Sequence, residues 1–156
     1  MPRLSAPTIA LLGDDQGHVS HQELNALVPR LDREFGVRAQ WVATDSAFDV
    51  STFDAVWLVP GSPYASDAAV YDALRTVREQ GVAFLGTCGG MQYAVIEYLR
   101  NAVGVDATHA ESDGESADNA VDTLACSLQG IERQVVPVAG TPFATWCPDP
   151  FSGMHF

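Results

Sequence analysis

One cysteine stands where its neighbours give it chemical meaning. Gly86-Thr87-Cys88-Gly89-Gly90 follows the apolar run Val82 to Leu85 and precedes a stretch with helical periodicity. A buried strand, a sharp turn and a helix would make this the thiol version of a nucleophile elbow. Gly86 and Gly90 supply the positions without side chains that so crowded a turn requires. At a helix N-terminus, the dipole and free N–H groups favour thiolate over thiol. A cysteine after a hydrophobic run is otherwise a small buried hydrophobe, so the assignment needs partners. Attack on a carbonyl carbon creates an oxyanion, which needs preorganised N–H donors. The Gly89 N–H is the natural first donor. A second can come from the turn Pro60-Gly61-Ser62-Pro63, which taken alone is ordinary loop punctuation. A base is harder to assign. His109 lies 21 residues after Cys88, with Glu111 close by, and reads either as that base or as an exposed loop histidine. His18 and His21 flank the start of the first helix and read as surface residues of its capping region.

The elements that must position these groups are legible as alternating strands and helices. Thr8 to Gly13, Ala55 to Val59 and Val82 to Leu85 are apolar runs of strand length, and Arg38 to Val42 reads as a further strand. Between the first two, Ser20 and Glu23 form a capping box. Leu24, Leu27, Val28, Leu31 and Phe35 then recur at helical spacing, Pro29 is expected to kink the helix, and Gly36 closes it. A second helix from Ser66 turns Val70, Ala73, Leu74 and Val77 inward and ends at Gly81. The helix after Cys88 is expected to bury Met91, Val95 and Leu99 and to end near Gly104. Near-continuous apolar strands alternating with helices imply a parallel sheet covered on both faces. Ligands bind at the carboxyl ends of such strands. The loops at Gly13-Asp14-Asp15, Pro60-Gly61-Ser62 and Thr87-Cys88-Gly89 all fall there. Residues 106 to 122 read as a long acidic loop, Gln134 to Val138 as a strand, and Thr141 to Phe156 as irregular chain with a strand at the end.

Composition narrows the classes of function. The chain has 156 residues and a net charge of −12, which argues against nucleic acid and anionic membrane surfaces as partners. No apolar run approaches the length of a membrane span, and no secretory signal core precedes the first strand. Cys88, Cys126 and Cys147 are widely spaced, which fits neither a disulfide framework nor a metal site. A reducing cytoplasm and no cofactor are the expectations.

The segment Leu85-Gly86-Thr87-Cys88-Gly89-Gly90-Met91-Gln92, continuing through Val95-Ile96-Glu97 to Arg100-Asn101, resembles the class I (triad) glutamine amidotransferases. The likeness is strongest to the C-terminal glutaminase domain of CTP synthase, with its Cys-x-Gly-Met-Gln, and to the small standalone CTP synthase C-terminal region-related (seleno)proteins. Val59-Pro60-Gly61-Ser62 is similar to the family's Val-Pro-Gly-Gly oxyanion loop, and Asp106-Ala107-Thr108-His109 stands where it carries Asp-Ala-Asn-Ser. The resemblance implies a flavodoxin-like three-layer α/β sandwich with a mostly parallel sheet, formed by residues 1–156 as a single domain. It implies glutamine as the amide substrate and Cys88 as the nucleophile that becomes a glutamyl thioester. Gly89 and Ser62 would be the oxyanion donors, Gly61 would let the backbone approach the ligand, and Gln92 would contact the glutamine. The ammonia would pass to an accepting synthase partner, and oligomerisation is open. Two departures stand out. Ser62 replaces the family's second glycine. The family's His-x-Glu base lies far downstream of the cysteine, and no such motif follows at that distance. His155 falls where fuller relatives continue as a strand beside the glutamine site. The C-terminal part of the family domain is therefore expected to be missing, and a selenocysteine codon read as a stop after Phe156 would account for it. A Cys88–His109 pair also resembles the deglycase-like hydrolases of the same superfamily, in which an acidic residue after the first strand supports the cysteine. Asp14 or Asp15 would play that part. A catalytically incomplete binding domain is the remaining alternative.

Overall fold

The computed structural model describes residues 6–122 and 130–154. Cys126 and His155 lie outside the described residues. The chain forms two compact units, Met1–Thr123 and Leu124–Phe156.

In the first unit, β1 (Thr8–Leu12), β2 (Arg38–Val42), β3 (Ala55–Leu58) and β4 (Ala83–Gly86) form a four-stranded parallel sheet in the order β2-β1-β3-β4. The helices between them are α1 (Val19–Phe35) and α2 (Asp67–Gln80), and α3 (Gly89–Tyr98) follows β4. The order reverses between β1 and β3, so the loops leaving these two strands diverge at the carboxyl edge and open a crevice there.

Alternate residues of β1 and β3 feed two cores. Ala10, Leu12, Val56 and Leu58 pack with Val70, Ala73, Leu74 and Val77 of α2 and Tyr93 of α3. Leu11 packs with Leu24 of α1 and Val59 on the opposite face. The inward face of α2 is as its spacing predicts. Ser66 caps its start by accepting the Ala69 N–H, and Gly81 ends it in the left-handed region. Each larger buried aliphatic side chain there contributes about 2 kcal/mol.

Several expectations are overturned. The capping box does not form: α1 begins at Val19 with His18 as N-cap, and Ser20 lies inside the helix. The α3 face is rotated from the one expected. Tyr93, Ile96 and Glu97 are buried, whereas Met91 and Val95 are 52% and 41% exposed. Tyr93 packs in the main core, and on the same face Arg78 of α2 donates to both oxygens of the buried Glu97 carboxylate, at 3.2, 3.0 and 2.9 Å. β4 is not a buried strand. It pairs only with β3 among the described residues, and Leu85 is 50% exposed.

Residues 106–122 are not one loop. They hold β5 (Thr108–His109), α4 (Ala110–Asp113) and β6 (Asn119–Val121). The short β5–β6 pairing is one reason, and Arg100 is another: it donates to the Ala107 carbonyl at 2.6 Å and to Asp113 at 3.3 Å. α3 itself continues into a wider π turn, Leu99–Val103, that ends at Gly104.

The second unit contains β7 (Glu132–Val135) paired antiparallel with β8 (Phe151–Met154). α5 (Pro142–Trp146) lies between them, capped by Thr141 and carrying Pro142 in its first turn. The segment is therefore not irregular throughout: proline at the first helical position is preorganised for a helix. Among the described residues, no helix is long and apolar enough to cross a membrane.

Candidate functional site

Cys88 sits on the turn from β4 to α3 with φ 52° and ψ −121°, a conformation that side chains rarely adopt. The turn is fixed on every side. The Thr87 N–H donates to the Leu58 carbonyl at 3.1 Å, and the Trp57 indole N–H donates to the Thr87 hydroxyl at 2.9 Å. The Gly90 N–H closes back on the Thr87 carbonyl at 2.9 Å. A Cβ on Gly86 would lie 2.8 Å from the Gly90 carbonyl oxygen. A Cβ on Gly90 would collide with the Leu58 carbonyl. Both flanking glycines are therefore demanded by close backbone approach. The cysteine is exposed and free, and no described residue hydrogen-bonds its sulfur.

The loop after β3 lies against this elbow. A Cβ on Gly89 would meet the Ser62 hydroxyl oxygen at 2.8 Å and the Ser62 nitrogen at 3.2 Å. The backbones carrying the Gly89 and Ser62 N–H groups are therefore neighbours, and neither N–H has an internal partner among the described residues. The loop is held from behind: the Tyr64 hydroxyl donates to the Val59 carbonyl at 2.6 Å, and burial raises the Tyr64 pKa well above that of an ordinary phenol. Gly61 has φ 120°, a conformation open to glycine.

His109 is 1% exposed, not a surface histidine. Its Nδ1 accepts the Glu111 N–H at 3.1 Å, so Nε2 carries the proton and donates to the Gln92 side-chain oxygen at 3.3 Å. The Gln92 amide nitrogen is thereby left to offer its N–H groups to a ligand. Asp113 accepts the His109 backbone N–H at 3.0 Å, and the His109 ring lies 5.4 Å from that of Tyr93. Glu111 accepts a hydrogen bond from the Ser62 hydroxyl at 3.1 Å. Although His109-Ala110-Glu111 spells His-x-Glu, its carboxylate bonds Ser62 and not the imidazole.

The structure thus brings Cys88, Gly89, Gly61, Ser62, Gln92, His109 and Glu111 into one region. Asp14 is spent elsewhere: its carboxylate accepts the Thr44 N–H at 2.9 Å, the Thr44 hydroxyl at 2.8 Å and the Ala65 N–H at 2.8 Å. These bonds tie the ends of β1 and β2 to the entry of α2. Asp15 accepts from the Asn25 side chain and the Gly17 N–H, and these bonds lower its pKa. Asp14→Asn is therefore expected to lower stability by about 2 kcal/mol. Denaturation curves of the variant against wild type will show the loss.

Sequence reasoning missed His21. Expected at the surface of the capping region, it is 0% exposed. The signal was there: His21, Leu24 and Val28 lie three and four residues apart, on the face of α1 that packs on the sheet.

A parallel sheet ordered 2-1-3-4, helices on its faces and a cysteine elbow at its carboxyl edge define a flavodoxin-like fold of the class I glutamine amidotransferase kind. Solved structures agree: the glutaminase domain of Trypanosoma brucei CTPS with bound acivicin superposes with a TM-score of 0.65 at 17% identity, over 89% of this chain and 61% of that one. In sequence the chain resembles CTP synthases. It is 30% identical over 124 residues to the Halobacterium salinarum enzyme, a stretch that is 74% of this chain and 22% of that protein. It is 41% identical over 76 residues to the Acinetobacter baylyi enzyme, covering 48% of this chain and 14% of that protein. The chain therefore spans about a fifth or less of the length of these curated relatives. No protein-family model matches it.

Proposed function

We propose that this chain is a glutamine amidotransferase-like protein that hydrolyses a glutamine side-chain amide through Cys88. The carrying observation is the exposed cysteine at a positive φ, set against a second loop whose Ser62 backbone adjoins that of Gly89. The Cys88 thiolate attacks the amide carbon, and the Gly89 and Ser62 N–H groups receive the oxyanion. Collapse breaks the C–N bond, the nitrogen takes a proton from solvent water and leaves as ammonia, and water then cleaves the glutamyl thioester to glutamate and the free Cys88 thiol. Such preorganised donors typically contribute about 3 kcal/mol each to the barrier. Glu111 is suited to the substrate's ammonium group, and the Gln92 amide N–H groups to its oxygens. The ammonia goes to an accepting synthase.

In this reading His109 orients Gln92 and does not act as the base. His109→Asn should raise KM for glutamine by about tenfold while kcat stays within about threefold, measured by glutamate release. A kcat loss on the order of a hundredfold with KM unchanged would make His109 the acid–base group and favour the deglycase-like alternative. Reaction of the wild type with general thiol reagents but not with glutamine would favour a binding domain.

A further inference from the structure

We propose that His21 is a positioning residue for the oxyanion loop: a buried neutral imidazole that clasps Pro60 from behind and so aims the Ser62 N–H. The assignment rests on the reading of Cys88 and Ser62 given above.

His21 is fully buried, yet both of its nitrogens are used. Nδ1 accepts the Gln16 N–H at 3.0 Å. Asp15 stands farther off, at 3.6 Å from the same nitrogen. A nitrogen that accepts an amide N–H carries no proton, so the proton is on Nε2. Nε2 lies 2.7 Å from the Pro60 carbonyl oxygen and donates to it. The ring is held edge-on to Trp41, with centroids 5.5 Å apart, and to His18 at 5.3 Å. An imidazole so enclosed has little freedom to turn away.

The bond falls where it controls the turn. The Pro60 carbonyl and the Gly61 N–H belong to one rigid peptide plane. The next plane carries the Ser62 N–H and hangs from the first through Gly61 alone. Gly61 also touches the clasp directly: a Cβ there would meet His21 Nε2 at 3.2 Å. No other donor among the described residues reaches the Pro60 carbonyl. His21 thus joins the loop after β1 to the loop after β3 across the point where the strand order reverses. Removing the Pro60 bond frees the first plane to rotate, and the Ser62 N–H rotates with it. A misplacement of about 1 Å is enough to weaken an oxyanion donor severely.

Two substitutions separate the two nitrogens. Glutamine reaches as far as Nε2 and can donate to Pro60, whereas asparagine reaches only the Nδ1 position. Two reactions separate oxyanion formation from thiol reactivity, both followed on the Cys88 peptide by mass spectrometry. With p-nitrophenyl acetate the sulfur–carbonyl bond forms through an oxyanion, the ester C–O bond breaks, nitrophenolate leaves with the electron pair, and the thiol proton goes to buffer. With iodoacetamide a sulfur–carbon bond forms, iodide leaves, and no oxyanion arises. His21→Asn should slow acylation on the order of tenfold or more, with alkylation within about twofold. His21→Gln should keep both within about threefold of wild type. Equal acylation losses in the two variants, unchanged acylation in His21→Asn, or parallel losses in both reactions would overturn the proposal. The wild-type protein supplies a test that needs no variant: imidazole nitrogen NMR should show the Nε2–H tautomer of His21, and an Nδ1–H tautomer would overturn the clasp. If acylation splits as expected while glutamine is never hydrolysed, the substrate assignment fails and the clasp stands.

Discussion

Replacing Cys88 with glycine should abolish the chemistry and stabilise the protein at once. The sulfur is the only protein atom in the proposed scheme that bonds to substrate carbon, so its removal should lower glutamine hydrolysis by about 10⁴-fold or more. The backbone effect runs the other way. At φ 52° and ψ −121° a Cβ is strained, typically by about 1–3 kcal/mol, and glycine relieves that strain. Glycine's greater freedom in the unfolded chain takes back about 0.5–1 kcal/mol. A net gain of about 1 kcal/mol should remain, visible as a rise in Tm of about 3 °C. Cys88→Ala keeps the strain and loses the sulfur, so it should be inactive without the gain. If glycine and alanine gave the same Tm, the elbow would not be storing strain.

The largest loss of stability should come from Gly90→Ala. The new Cβ would collide with the Leu58 carbonyl oxygen and stand 2.8 Å from the Leu58 carbonyl carbon. Both atoms are backbone, and Leu58 ends a strand hydrogen-bonded into the sheet through β1 and β4. Neither partner can move aside as a flexible side chain would. The start of α3 must shift, breaking the Gly90–Thr87 bond and loosening the Thr87–Leu58 bond beside it. Overpacking of this kind costs about 3 kcal/mol, or a drop in Tm of about 6–12 °C. Cys88 should also acylate more slowly in whatever fraction stays folded. Gly104→Ala serves as the control, because a Cβ there meets nothing within 4 Å, although its φ of 80° still makes alanine mildly unfavourable.

These effects follow from features that were legible to different degrees. The sheet and α2 could be read because their signals are local: continuous apolar runs, a serine cap, and Gly36 and Gly81 at the helix ends. The elbow glycines carried a steric demand visible in their spacing alone. The α3 face could not be read this way. Its helix is apolar nearly all round, and its buried face is matched to tertiary partners: Tyr93 to the core and Glu97 to Arg78, 19 residues away. β5 and β6 escaped for a similar reason, since Thr108 pairs with Asn119 and the Ala107 carbonyl is held by Arg100. The burial of His21 was not legible because polar residues near a helix start are expected to face water. His21 and His109 are buried with both nitrogens bonded, and those partners are set by tertiary structure.

The central claim is that Cys88 and its two backbone donors form a site shaped for glutamine. Intact mass and peptide mapping after incubation with a diazo-oxo-norleucine-type glutamine analogue test it most directly. The expected result is a single adduct on Cys88 that excess glutamine suppresses and that Cys88→Ala does not form. A protein whose Cys88 is alkylated by iodoacetamide but takes no label from the glutamine analogue would contradict the claim.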